Sequence, residues 1–412
     1  MINRLIQHGI LFVFAKSIVL IAPLIAAYFL KKSSYGMFEW SISISMIIST
    51  ILTVGAGNTI AFEKIKNESS PLIYIGQIYS IYLGLGLACL SIVVILIFNN
   101  ARIGLIFGMS AFLIIQYALS AYIKANGLGA KASIIDSGIY IVLLGLLFFT
   151  WIEESSELLY TIAYALSAIT LSALLYKTIT KHVKITKVDI KKFFTRGFPI
   201  MLSGSMIIVF FSLPKVLLGS NSMALVGEFS LYFRWAAVAI VIYQFLIVVF
   251  FRDLYTKSYI EFDKFIAGIS LGVYSLGLLV LLLLYLANIS NIKYLPLPEF
   301  NASLQIVMLA IIALWALTAS LEGVLYRENK SIHQMLANLF GILIFLVLFY
   351  FFQDTEHILY ITIFSWFTSF VTIIFYQLYI IHKFILQNNF VFINSLFLLI
   401  LTSTIFLLEI IV

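Results

Sequence analysis

The sequence predicts an all-α polytopic membrane protein. It is expected to consist of two six-helix bundles, related by a pseudo-two-fold axis along the membrane normal, and a thirteenth, C-terminal helix. Of the 412 residues, 63% are hydrophobic and only 10% are charged, whereas soluble domains carry about 25% charged residues. The apolar residues form long runs, and about 20 such residues span a bilayer. This composition excludes a soluble enzyme, a nucleic-acid-binding protein and a disordered chain.

The apolar runs predict thirteen spans. Their continuity is typical of helices, because barrel strands alternate in hydrophobicity over about ten residues. The first six predicted spans are 9–30, 38–61, 73–98, 103–123, 134–151 and 158–176. The next six are 198–218, 225–251, 265–287, 303–326, 332–352 and 358–381, and the thirteenth is 390–412.

The basic residues orient these spans. With the N-terminus inside, 18 of the 25 Lys and Arg residues lie in inner segments and 4 in outer segments. Short cytoplasmic loops are enriched in Lys and Arg, so this bias predicts a cytoplasmic N-terminus. It also supports the number of spans, since one wrong span would reverse the side of every later loop.

A basic segment after the sixth span divides the chain. We predict an N-terminal six-helix bundle (1–176), a basic cytoplasmic linker (177–197), a C-terminal six-helix bundle (198–381) and an accessory C-terminal helix (382–412). Whether the segment 390–412 fully spans the membrane is left open.

The two halves resemble each other locally. Three pairs of residues are each 191 positions apart, namely Pro23 and Pro214, Gly36 and Gly227, and Phe38 and Phe229. Units with an even number of spans face the same way, and in transporters built from such repeats the substrate site lies between the units. The sequence therefore predicts a central pathway between the halves.

Three short motifs carry a family resemblance. They are Tyr35-Gly36-x-Phe38-Glu39, Gly197-Phe198-Pro199 and Val226-Gly227-Glu228-Phe229-Ser230-Leu231-Tyr232. Together with the two bundles and the basic middle segment, they resemble the O-antigen flippases, the Wzx type of polysaccharide transporter. These belong to the superfamily of multidrug, oligosaccharidyl-lipid and polysaccharide exporters. The family's flippases commonly have twelve spans, so the thirteenth is a departure.

The resemblance implies a function and its partners. Such a flippase moves an undecaprenyl-pyrophosphate-linked oligosaccharide, the O-antigen repeat unit, from the cytoplasmic to the outer face of the bacterial inner membrane by alternating access. Polymerisation then follows at the outer face, so polysaccharide polymerase machinery is an implied partner. The coupling ion is left open between H+ and Na+, with a gradient of the lipid itself as a third choice.

Three basic residues fall within or at the edge of spans, and we interpret them as a cationic cavity for pyrophosphate: Lys16, Lys215 and Arg234. A charge inside a span is costly and by default faces the bundle interior or a pathway. Arg grips phosphate oxygens with two parallel hydrogen bonds, and Lys acts as a point charge. The alternatives are that Lys215 snorkels to the outer surface and that Arg234 pairs with Glu228 or anchors its helix.

Four acidic residues are candidates for ion coupling or gating: Glu39, Asp136, Glu228 and Glu322. The alternative for the first three is stabilisation of a helix N-terminus, and for Glu322 a local pair with Arg327. Pro23 and Pro214 are candidate hinges, although Pro is tolerated in membrane helices for packing alone.

Rival functions remain. A drug or cation antiporter of the same superfamily tends to carry an acid on its first helix, where this chain has Lys16 and no acid. A peptidoglycan-precursor flippase usually has fourteen spans. A membrane glycosyltransferase or polymerase needs acid and base groups in an outer loop, and the longest one (288–302) holds only Glu299. We therefore expect no enzyme activity, no cofactor, no metal site and no nucleic-acid partner.

Overall fold

The chain is a multi-pass membrane protein. In the part of the chain that the structure describes, ten helices are long and apolar enough to cross a membrane, and an eleventh crossing results if one bent pair counts as a single span. The helices described confirm the all-α fold class. The computed structural model describes residues 2–149, 157–179, 185–241, 243–244, 258–290, 301–328, 330–353, 357–385 and 392–411. The predicted ends of the fifth and eighth spans and residues 291–300 of the longest outer loop lie outside this part.

The first of two compact units comprises Met1–Val216. Its helices are α1 (Ile2–Phe29), α2 (Lys32–Leu52), α3 (Ala56–Lys66), α4 (Pro71–Phe98), α5 (Ala101–Ala125), α6 (Gly129–Asp136), α7 (Gly138–Phe149), α8 (Glu157–Lys177) and most of α9 (Lys187–Asn221). The most buried is α5, with 83% of its apolar window inside the unit. Helices α2, α3, α4, α6, α7 and α8 pack against α5.

The second predicted span is broken in the structure. Instead of one helix over 38–61, α2 ends at Leu52 and α3 begins at Ala56. Val54 and Gly55 between them have φ angles of 47° and 68°, a left-handed conformation that glycine adopts without steric cost. Helix α2 also begins at Lys32, so the Tyr35-Gly36-x-Phe38-Glu39 motif lies within the helix and not in an outer loop.

The fifth predicted span is bent. Helices α6 and α7 meet at Ser137 with an angle of 50°. A bend frees backbone carbonyls that need new donors inside a membrane. The Gln116 side chain of α5 supplies one by donating to the Asp136 carbonyl at 2.9 Å.

The predicted linker (177–197) is helical from Lys187 onward. The basic residues of this segment are typical of a cytoplasmic loop. In the structure, however, Phe193 is fully buried against Ala56, Leu72 and Ile75. Lys191 and Lys192 beside it are exposed. The second half of the segment is thus an amphipathic start to α9. The boundary between the compact units lies further on, within α9, and the predicted domain limits stay a prediction.

The second unit comprises Leu217–Val412. Its helices are α10 (Met223–Ala237), α11 (Tyr259–Ile289), α12 (Ala302–Arg327), α13 (Ser331–Phe352), α14 (Ile358–Phe384) and α15 (Ile393–Ile411). Here α12 is the most buried helix, again with 83% of its apolar window inside. Helix α12 therefore occupies the central position in this unit that α5 occupies in the first.

Helix α15, predicted as an accessory span, packs within the second unit. The buried carboxylate of Asp263 accepts the backbone N–H groups of Asn394 and Ser395 at 3.1 and 3.4 Å. A carboxylate at a helix N-terminus satisfies free donors and complements the helix dipole. Phe406 stacks on Phe367 of α14 at 3.5 Å between ring centroids. The apolar part of α15, Ile393–Glu409, is shorter than the ten spans.

Candidate functional site

A buried ion pair joins α2 to α9 in the first unit. The Lys215 Nζ atom lies 2.5 Å from Glu39 Oε2. Glu39 is fully buried and Lys215 is 7% exposed. The hydroxyl of Tyr35 donates to the other carboxylate oxygen, Oε1, at 3.2 Å. The sequence indicates separate candidate roles for Glu39 and Lys215, and the structure brings the two side chains together.

Local helix geometry positions the carboxylate. Tyr35 and Glu39 are four residues apart on α2, and residues at this spacing are neighbours on a helix surface. Trp40 Nε1 donates to the Val216 carbonyl at 3.3 Å and fixes the same part of α9. Glu39 is the eighth residue of α2, beyond the first turn in which a carboxylate stabilises a helix N-terminus.

The buried pair bears on two further expectations. Lys215 does not extend into solvent, because its ammonium is held by Glu39 within the unit. Pro23 and Pro214 both lie inside helices that run through them, α1 and α9. Pro214 removes a backbone donor one residue before Lys215, and its role as a hinge stays a prediction, as does that of Pro23.

A second charged cluster forms where α1, α5 and α6 meet. The Lys124 Nζ atom lies 2.7 Å from Asp136 Oδ2, and the two side chains are 52% and 40% exposed. Both charges act electrostatically on Lys16. The Lys16 ammonium lies 5.7 Å from the centroid of the Phe12 ring, which gives it a cation–π contact. Asp136 ends α6 at the bend.

Arg234 and two of the candidate acids belong to the second unit. Arg234 is 8% exposed in α10, where Glu228 precedes it by six residues on the same helix. Glu322 lies in α12, half-buried and one turn before Tyr326. Arg327, its predicted partner, forms an ion pair with Glu328 at 3.2 Å.

Sequence reasoning missed a second link between α9 and the first unit. Arg196 Nη1 lies 2.6 Å from Glu63 Oε1 of α3, and Ser70 donates to the other Glu63 oxygen at 2.7 Å. The next residue, Gly197, approaches the α2–α3 break so closely that an added Cβ would lie 2.1 Å from the Val54 carbonyl oxygen. The Gly197-Phe198-Pro199 motif had indicated an element boundary, and its glycine permits this contact.

The described residues contain no group of three or more His, Cys, Asp or Glu side chains arranged to hold a metal ion. Their charged groups instead form pairs and local clusters. Such an arrangement is suited to binding and releasing a charged solute, and to changing partners when a carboxylate is protonated.

No protein-family model matches the chain. No curated protein matches its sequence either.

Solved structures match over nearly the whole length. One is an inward-facing multidrug resistance MATE family transporter of the MOP superfamily, with a TM-score of 0.59 and 13% identity, covering 94% of this chain and 95% of its own. Another is the MATE multidrug transporter DinF-BH, solved as a complex with a ligand, with a TM-score of 0.55, 14% identity, and 93% and 95% coverage. A third, from Pyrococcus furiosus, is described as a MOP superfamily transporter whose binding pocket of reverse polarity suggests a different function. Its TM-score is 0.50 at 11% identity, with 97% and 95% coverage. The chain therefore has the fold of the MATE transporters of the MOP superfamily.

Proposed function

We propose that the protein is a flippase for a polyprenyl-pyrophosphate-linked oligosaccharide, with undecaprenyl as the expected lipid. The observation that carries this proposal is the presence of basic side chains within helices, half-buried Lys16 in α1 and buried Arg234 in α10. Intramembrane charges mark transport pathways by default, and basic ones suit a translocated anion. The MATE fold supports transport by alternating access, because it is shared with transporters.

The pyrophosphate group explains the need for these bases. Moving its charge through a medium of low dielectric constant is costly unless positive groups accompany it. The planar guanidinium of Arg234 would bind two phosphate oxygens at once, while Lys16 contributes a point charge. Pyrophosphate binding at these residues lowers the barrier without any covalent step.

In this proposal the Glu39–Lys215 pair is the element that exchanges partners. While Glu39 is ionised it neutralises Lys215, and the ammonium is unavailable to a phosphate. Protonation of Glu39 from the outside removes its negative charge, so the Lys215 ammonium can pair with the pyrophosphate instead. A proton gradient would then be coupled to substrate movement, and Na+ in place of the proton is the alternative coupling ion.

A multidrug or cation antiporter is the second candidate. The observation that favours it is that structural neighbours of the chain are multidrug transporters. The structural neighbour with a pocket of reverse polarity indicates that the polarity of the binding pocket differs among transporters of this fold. Lys16 and the absence of any acid from the sequence of α1 favour an anionic substrate here.

The test is a deletion strain complemented by variants. We expect the deletion to accumulate lipid-linked oligosaccharide on the cytoplasmic face of the inner membrane and to lose surface polysaccharide. Lys16→Ala and Arg234→Ala should not restore export, although both proteins reach the membrane. Lys66→Ala removes an exposed base outside the spans and should restore export fully.

The outcomes separate the candidates. Normal surface glycan with raised drug sensitivity in the deletion strain would establish the antiporter and exclude the flippase. Accumulation of a peptidoglycan lipid precursor would identify that rival flippase. If Lys16→Ala and Arg234→Ala are made at normal levels and both export normally, the cationic pathway is wrong.

A further inference from the structure

The second unit contains a cavity at the point where α10, α12 and α14 begin. Its volume is about 470 Å³, within the range of about 300–1,000 Å³ typical of small-molecule sites. Four polar side chains lie in its wall, namely Glu228, Tyr232, Asn301 and Tyr360. The charge bias of the loops places these helix starts at the outer face.

Two of these side chains are already arranged to bind. The Oδ1 atom of Asn301 accepts the Leu304 backbone N–H at 3.1 Å, which fixes the amide orientation. The amide Nδ2 then donates to the Tyr360 hydroxyl at 3.0 Å. Because that oxygen accepts from Asn301, its own hydrogen points elsewhere, and the described residues provide no acceptor for it. Tyr360 is 44% exposed, so its hydroxyl is a donor available to a ligand.

The chemistry of the wall favours a sugar. A carboxylate such as Glu228 only accepts hydrogen bonds when ionised, and its two oxygens match neighbouring hydroxyl groups. Tyrosine offers an apolar ring beside a polar hydroxyl, which suits a sugar ring with apolar and polar faces. The Glu228 carboxylate repels a phosphate, and a lipophilic drug would prefer a wall with fewer polar groups.

The first unit provides an internal comparison. A crevice lies at the starts of α2, α5 and α8, the corresponding helices of the first unit, but its volume is only about 40 Å³. Asn100 caps α5 at 3.1 Å as Asn301 caps α12. At the repeat spacing of 191 residues, Met37 corresponds to Glu228. The corresponding position on the two helices thus carries a methionine beside a narrow crevice in one unit and a carboxylate beside a wide cavity in the other.

We propose that this cavity binds a sugar ring of the transported oligosaccharide, with Glu228 accepting from its hydroxyl groups and Tyr360 donating to one of them. The inference rests on the proposed flippase function and deepens it. Arg234 follows Glu228 by six residues on α10, about 9 Å along the helix axis at 1.5 Å per residue. One helix would therefore carry residues for both the glycan and the pyrophosphate.

The test compares two probes on the purified protein in lipid nanodiscs. One is the lipid-linked oligosaccharide extracted from the organism that makes the protein, and the other is undecaprenyl pyrophosphate without sugar. We expect the wild type to bind the first more tightly. Glu228→Gln and Tyr360→Phe should each weaken its binding about tenfold or more, as expected for loss of a hydrogen bond involving a charged or buried group. Neither substitution should change the affinity for undecaprenyl pyrophosphate.

A matched control is Glu157→Gln, which alters the acid of the narrow crevice and should leave both affinities unchanged. If the wild type binds the two probes with equal affinity, the sugar site is wrong, although the proposed flippase function is not excluded. The sugar site is also wrong if Glu228→Gln and Tyr360→Phe weaken the binding of both probes equally. Binding of neither probe by the wild type would reject the flippase itself, and the sugar site with it.

Discussion

Glu39 and Lys215 place two opposite charges in the interior of the first unit, 2.5 Å apart. Transfer of each charge from water costs several kcal/mol, and only close geometry with further hydrogen bonds offsets that cost. Tyr35 supplies one such bond to the carboxylate. Either charge left alone would lack this compensation, so each residue depends on the other.

We predict that the two residues are strongly coupled in stability. Glu39→Gln or Lys215→Met alone should destabilise the protein by about 3–5 kcal/mol, because each breaks a buried ion pair by removing one partner. The double variant should be less destabilised than the sum of the single variants. Thermal unfolding of the detergent-solubilised protein, analysed as a double-mutant cycle, measures this coupling.

The pair Lys124–Asp136 serves as the control, since it has similar geometry but both side chains are about half exposed. The double-mutant cycle for Lys124 and Asp136 should give a coupling energy of about 0–1 kcal/mol, the usual value for exposed ion pairs. Additive effects at Glu39 and Lys215 would show that the two charges do not stabilise each other. The partner exchange proposed above would then lack its basis.

The sequence identified Glu39 and Lys215 as charges within spans, but it did not pair them. They are 176 residues apart, and no periodic pattern connects positions at that distance. One signal was available. Glu39 lies near the start of a span predicted to run inward and Lys215 near the end of one running outward, so both lie at a similar depth. A similar depth in the membrane reduces the number of residues that could pair with Glu39, but it does not identify Lys215 as the partner. Hydropathy does not encode the order of helices around a bundle.

Among the elements, α9 is attached to the first unit at two levels. Near its beginning, Arg196 pairs with Glu63 and Gly197 contacts the α2–α3 break. Near its end, Lys215 pairs with Glu39 and the Val216 carbonyl accepts from Trp40. Helix α9 therefore belongs structurally to the first unit over most of its length.

We predict that Gly197 is required for the packing of α9. In Gly197→Ala the new Cβ would lie 2.1 Å from the Val54 carbonyl oxygen, so a backbone segment must shift. The expected destabilisation is about 3 kcal/mol or more, the upper end for overpacked sites. Gly204→Ala on the same helix meets no atom within 4 Å and should be neutral or stabilising by up to ~1 kcal/mol.

Fluorescence-detected size-exclusion chromatography after heating would measure both variants. Equal melting temperatures for Gly197→Ala and Gly204→Ala would mean that α9 does not approach the break this closely in the membrane. A lower melting temperature for Gly197→Ala alone would support the close approach of α9 to the α2–α3 break.

Hydropathy predicted the existence of the long helices because apolar runs of spanning length have few alternatives in a bilayer. It failed where the helix continues outside the apolar run. Residues 187–197 are polar overall, and only the buried Phe193 and Gly197, four positions apart, mark the packed face. The break at Val54 and Gly55 was also missed, because a left-handed turn inside an apolar run leaves hydropathy unchanged.

At the scale of the whole molecule, two features repeat between the units. A central helix, α5 or α12, is buried to the same extent in each, and each begins with an asparagine cap. The three residue matches at 191 positions predicted such a repeat. The cavity in the second unit could not be predicted, because its volume depends on how three helix starts diverge.

The Lys and Arg bias assigns the inner and outer ends of the helices, and we predict a matching pattern of cysteine labelling. The chain has a single cysteine, Cys89, so a Cys89→Ser background carries no thiol. In intact spheroplasts, Ser33→Cys in the first turn of α2 should react with a membrane-impermeant maleimide, since the bias places it outside. Ser69→Cys between α3 and α4 should react only after the membrane is opened. Both serines are exposed, so access to the reagent depends on the side of the membrane alone.

The reverse pattern would place the N-terminus outside and turn the polar cavity of the second unit towards the cytoplasm. Glu228 would then meet the glycan at loading and not at release, and the proton that frees Lys215 would have to come from the cytoplasmic side. Labelling of both positions in intact spheroplasts would instead mean that α2 and α3 together do not cross the membrane. The predicted pattern keeps the starts of α10, α12 and α14, and with them the proposed sugar cavity, at the outer face of the membrane.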